Sequence, residues 1–109
     1  MRKRGALNNS CRVVLMKPPT VVGEGGFYNS FTAPIPVKVC KVGRGVRAEF
    51  PTTDFGTVTV TLSGARRQAE KYMRLSRKLP CPGARSMAAQ LAREWGEFYR
   101  GLSRVVKGV

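Results

Sequence analysis

Few side chains in this sequence are able to do covalent or acid–base chemistry. It holds six acids (Glu24, Glu49, Asp54, Glu70, Glu94 and Glu97), three cysteines (Cys11, Cys40 and Cys81) and no histidine. Without histidine there is no Ser-His-Asp or Cys-His nucleophile, no imidazole general base and no His-containing zinc site. Glu94 and Glu97 stand on one stretch, but no second acidic cluster exists to complete a Mg²⁺ site with them. Asp54, next to Thr52 and Thr53, reads as a turn residue. The cysteines are odd in number, widely spaced and without a CxxC pair. They therefore read as free thiols of a reducing, intracellular compartment rather than as a disulfide framework. Gly23-Glu24-Gly25-Gly26 lacks the GxGxxG or GxxxxGK spacing of a phosphate loop and reads as a flexible turn. No enzyme activity, cofactor or metal is expected.

The cations carry the stronger signal. Lys and Arg number 20 against the six acids, a net charge of +14 on 109 residues. A small domain stays soluble at a net charge of roughly 2–8, and a larger excess repels itself, so it points to an anionic partner. Arg2, Lys3, Arg4, Arg12 and Lys17 all precede the first acid, Glu24. Arg67, Lys71, Arg74 and Lys78 recur at steps of 4, 3 and 4, which places them on one face of a helix, with Arg66 and Arg77 flanking. Arg93, Glu97, Arg100, Arg104 and Lys107 form a second such face. From Ser63 onward there are 11 basic residues and 3 acids. Glu70–Arg74 and Arg93–Glu97 have ion-pair spacing, but they compensate few of these charges. Lys38, Lys41, Arg44 and Arg47 add a cationic hairpin, with Arg44 between two glycines at its tip, where a guanidinium reaches phosphate. The candidate nucleic-acid-binding residues are Arg2, Lys3, Arg4, Arg44, Arg47, Arg66, Arg67, Lys71, Arg74, Lys78, Arg93, Arg100 and Arg104. Their dispersal suits docking on a folded RNA through positioning phosphate contacts better than reading a duplex with one element. Phe27, Tyr28 and Phe31 sit near glycines and either stack on unpaired bases or close the mouth of a core.

These residues must be positioned by elements. Cys11 to Lys17 reads as a strand that Pro18-Pro19 ends. Thr32-Ala33-Pro34-Ile35-Pro36 is extended, because two close prolines forbid a helix. Val37 to Val42 and Val46 to Phe50 alternate, joined by a three-residue Gly43-Arg44-Gly45 loop, and Val46, Ala48 and Phe50 should face the core. Gly56 to Leu62 alternates valine with threonine, as a half-solvated antiparallel strand does. The period then changes to 3.6. Ser63 is expected to cap a helix over 64–78, which Pro80 and Pro82 end. In a second helix, over 85–106, Met87, Leu91, Trp95, Phe98, Leu102 and Val105 form a continuous apolar stripe. Gly96 and Gly101 each cost this helix about 1 kcal/mol against alanine, so each marks either a close approach or a kink. No apolar run nears the ~20 residues that span a bilayer.

The expectation is a basic N-terminal arm over 1–10 and a single α+β domain over 11–109. In that domain a small antiparallel sheet of four to five short strands (11–62) packs against the two C-terminal helices, since neither part buries its apolar face alone. In composition and layout the chain is similar to small ribosomal proteins, with a basic arm, a compact α+β body and cationic faces all round. That resemblance implies a structural, RNA-binding component of a ribonucleoprotein, an organellar ribosomal subunit protein, in contact with rRNA-like RNA and neighbouring proteins. An acid-poor, Arg-bearing start is consistent with organellar targeting and hence with the mitochondrial matrix. Two alternatives remain. One is an accessory subunit of a mitochondrial membrane complex, docked on acidic protein or anionic lipid without a transmembrane segment of its own. The other is a phage or plasmid DNA-binding regulator.

Overall fold

The computed structural model describes residues 9–107. Most of the arm expected over 1–10, with Arg2, Lys3 and Arg4, lies outside the described residues. The chain runs β1 (Asn9–Met16), β2 (Val21–Val22), a 3-10 turn (Glu24–Gly26), β3 (Tyr28–Asn29), β4 (Ile35–Val42), β5 (Gly45–Pro51), β6 (Thr57–Thr61), α1 (Leu62–Lys78) and α2 (Pro82–Lys107). Four strands form one antiparallel sheet in the order β1-β4-β5-β6, and β2 pairs with β3 in a separate two-stranded sheet. Both helices pack against the main sheet, so the fold is α+β.

Register decides which side chains share a face. Val14 pairs with Val37, and Val39 pairs with Ala48, which pairs in turn with Val60. One sheet face is therefore apolar, and Val37, Val39, Val46, Ala48, Phe50 and Val60 are buried on it against Ala65 of α1 and Leu91, Trp95, Phe98 and Leu102 of α2. Aromatic edges meet faces along the core: Phe31 lies 5.6 Å from Phe50, Phe50 5.7 Å from Phe98, and Phe98 6.4 Å from Trp95. The opposite sheet face carries Val13, Lys38, Glu49 and Thr59 in one cross-strand row and Arg47 and Thr61 in the next.

Several boundaries differ from expectation for identifiable reasons. Cys11 and Cys40 are cross-strand partners, joined by a disulfide with a Cα–Cα separation of 4.0 Å. The free-thiol reading is thus corrected for these two: spacing along the chain does not reveal which strands become neighbours. Cys81 is free and exposed. The hairpin loop is two residues, Gly43-Arg44, because Gly45 already pairs with Val42. Gly43 takes the left-handed conformation the turn requires, at φ 59°. The cap of α1 is Thr61 instead of Ser63. Its Oγ1 accepts the Gly64 N–H at 2.9 Å, so Leu62 opens the helix rather than closing the strand. The second helix starts at Pro82, ahead of the expected residue 85, since proline's fixed φ and missing N–H suit the first helical position. Arg85 closes the preceding turn by donating from Nη1 to the carbonyls of Leu79 (2.9 Å) and Pro80 (3.0 Å).

Pro18 and Pro19 end β1 as expected, yet they are among the most completely buried side chains. Thr20 next to them is pinned to α2. Glu94 Oε1 accepts both the Thr20 N–H and its hydroxyl at 2.7 Å, while the Trp95 indole N–H donates to the Thr20 carbonyl at 3.2 Å. Gly101 is a close approach: a Cβ there would stand 2.8 Å from Met16 Cε. Gly96 is neither an approach to another element nor a kink, as only the Arg100 guanidinium comes near and α2 is continuous.

Candidate nucleic-acid interface

The apolar stripes that seat α1 and α2 on the sheet leave their opposite sides to solvent, and the cations are on those sides. Arg66, Arg67, Lys71, Arg74 and Lys78 on α1 are all exposed, as are Arg93, Arg100, Arg104 and Lys107 on α2. Antiparallel packing of the helices opens a groove between them. Arg74 comes from one wall, Arg93 and Arg100 from the other, and Ala92 and Gly96 lie on the floor. The groove exists because these floor residues are small. The period of the charges does not reveal them. The available signal was the run of small side chains, Ala89, Ala92 and Gly96, on the flank of α2 beside its arginines.

Among the described residues one ion pair forms, Arg66 Nε to Glu70 Oε2 at 3.2 Å. The spacing had suggested Glu70–Arg74 and Arg93–Glu97 instead. Glu70 lines the groove but turns to Arg66, so that among the described residues no carboxylate lies within 4.0 Å of Arg74, Arg93 or Arg100. Lys71 Nζ lies 5.3 Å from the centre of the Tyr72 ring, a cation–π contact at the helix flank. Tyr72 is half-buried, and burial pushes its phenol above the usual tyrosine value.

The other candidates fall elsewhere. Arg44 and Arg47 line a shallow depression with Thr61, Leu62 and Ser63, so two guanidiniums flank the N-terminal turn of α1. Helix N–H groups and arginine there favour an anion in the same place. Arg104 belongs to a third depression, with Leu15, Lys17 and Glu97. The structure thus gathers Arg74, Arg93 and Arg100 in one groove, pairs Arg66 internally, and leaves Arg44 and Arg47 at a separate end of the sheet. The aromatic cluster also divides. Phe31 packs on Phe50, while Phe27 and Tyr28 stay 68% and 61% exposed.

The remaining reactive groups have structural surroundings. Burial raises the Glu94 carboxyl, but the Thr20 hydroxyl and amide, the Gln90 side chain and the Lys17 charge outweigh it and hold the group below the usual glutamate value. The exposed Cys81 thiol precedes α2, and the N–H groups of Ala84 and Gly83 lower its pKa. Among the described residues no cluster of three or more His, Cys, Asp or Glu side chains is placed to hold a metal, and no helix is long and apolar enough to cross a membrane. In comparisons with protein families, curated proteins and solved structures, nothing matches the chain.

Proposed function

We propose that this protein is a non-enzymatic, structural RNA-binding component of a ribonucleoprotein. In its finer form the proposal is a ribosomal subunit protein of an organelle, beside neighbouring proteins of a large assembly. The observation that carries it is the groove between α1 and α2, where Arg74, Arg93 and Arg100 face solvent and, among the described residues, the one acid of the lining, Glu70, is paired with Arg66. Arg67, Lys71 and Lys78 extend the same positive surface along α1. Guanidiniums held on two rigid helices meet a curved phosphate backbone from two sides, and such contacts position an RNA without reading its bases.

The test is binding to a structured RNA as a function of salt, with the triple variant R74A/R93A/R100A alongside. Each phosphate contact adds roughly 0.7–0.9 to the slope of log affinity against log salt. The wild-type chain should show a steep slope, and the variant should lose about 2 units of it with an unchanged circular dichroism spectrum. A flat slope in the wild type refutes the proposal. Tighter binding to anionic vesicles or to an acidic protein assigns the charge to that surface, and a high specificity ratio for one duplex DNA site assigns it to gene regulation.

A further inference from the structure

The strand β1 is an edge of the main sheet, and among the described residues its outer side pairs with nothing. The 4.0 Å Cα–Cα separation at Cys11–Cys40 marks a non-hydrogen-bonded cross-strand pair. Ladder bonds alternate, so Arg12 and Val14 bond to β4, while the N–H and C=O groups of Cys11, Val13 and Leu15 point away from the sheet. These unpaired groups are a template for another strand. The side chains beside them agree. Val13 is 67% and Leu15 71% exposed; both alternate onto the sheet face opposite the core, and Leu15 also borders the depression beside α2 that holds Arg104. Of the usual protections of an edge only one is present, the charge of Arg12. The β1–β4 register runs one to one from Asn9 to Met16 without a bulge, no proline interrupts it, and Arg12 is its one charged side chain, on the helix side.

We propose that β1 pairs antiparallel with β1 of a second copy of this chain, about a two-fold axis through Val13, joining two four-stranded sheets into one. Self-complementarity selects this partner. With Val13 opposite its own copy, Cys11 and Leu15 face the second copy's Leu15 and Cys11. The outward-pointing backbone groups of all three meet in register, and Cys11, Val13 and Leu15 of the two copies form one patch across the junction. On the other face Arg12 meets the second copy's Val14, and Ser10 meets its Met16. Sliding the axis to Arg12 would set two guanidiniums opposite each other, so charge rejects that register. The other edge, β6, is shorter and presents threonines on its outer face.

This association is independent of RNA and has the opposite salt response. Each copy carries +14, so added salt strengthens pairing by screening repulsion, whereas phosphate binding weakens. The test is sedimentation of the full chain after nuclease treatment, at low and at high salt. The expected result is a dimer whose population rises with salt. Val13→Pro removes an outward N–H that makes no bond within the chain, and Val13→Lys sets like charges across the axis. Both should weaken the dimer roughly tenfold or more with an unchanged circular dichroism spectrum. If Val13→Pro perturbs the fold, Val13→Lys still decides. A monomer at both salts, oligomers beyond the dimer, or a Val13→Lys chain that dimerises like wild type would overturn the proposal.

Discussion

Glu94 shows how a single side chain is committed by its neighbours. It sits mid-helix, where an acid would ordinarily be solvated, yet it holds the Thr20 amide and hydroxyl across 74 residues of sequence. Its carboxyl lies below the usual glutamate value in the folded chain. A depressed folded-state pKa stabilises the fold above the unfolded value of about 4.3 and ceases to do so as pH falls through the folded value. Thr20→Val removes one donor to a charged acceptor and should cost about 1–3 kcal/mol at neutral pH. That cost should shrink on acidification into and below the glutamate range, because the protonated carboxyl is a weaker acceptor. Chemical denaturation of both proteins at pH 7 and pH 3 checks this. None of it was legible in the sequence. Spacing marks Glu94 only as an acid without a partner cluster and gives Thr20 no role, because a contact between chain positions so far apart leaves no local pattern.

At the scale of elements, the periodic segments were legible and their ends were less so. The alternation in Val46-Arg47-Ala48-Glu49-Phe50 and the apolar stripe from Leu91 to Leu102 are properties of a strand and a helix themselves, and both bury the residues they should. Ends depend on single hydrogen bonds, and Thr61 took the capping role expected of Ser63. Gly96 and Gly101 of α2 were indistinguishable by spacing but differ in surroundings. Gly96→Ala puts a methyl where only a mobile guanidinium is near and should stabilise the protein by about 0.5–1 kcal/mol. Gly101→Ala meets Met16 at 2.8 Å, and displacing that side chain should offset most of the same gain. Thermal melts of the two variants should therefore differ, with Gly96→Ala the higher. Of the interface, the cationic faces were legible because they follow helical period. The groove was not, because it is made by how two helices lie against each other.

For the whole molecule, the disulfide is the largest departure from expectation. It links strands 29 residues apart in sequence, and a cross-link closing a loop of that size is worth about 3–4 kcal/mol in the chain-entropy account. Against the 5–15 kcal/mol typical of a native domain, that is a substantial share for a chain with a thin core and a strong self-repulsion. Reduction, or the double variant C11S/C40S, should lower the melting temperature by more than about 10 °C. The unreduced chain should release one titratable thiol, that of Cys81, against three after reduction and unfolding. An unchanged melt, or three thiols without reductant, would remove the cross-link from the account of stability.

The clamp of Pro18, Pro19 and Thr20 on Glu94 and Trp95 also sets an order on biosynthesis. The first strand emerges early, but the residues that cover its turn are near the other end of the chain. Until α2 has been made, the apolar face of the sheet has only Ala65 and the partly buried Leu62, Ala69 and Tyr72 of α1 to lie against. A nascent or prematurely terminated polypeptide lacking that helix is thus a sticky, sheet-forming fragment. Its fate depends on chaperones and proteases, and quality control should discriminate sharply between chains that stop before Trp95 and chains that continue past Leu102.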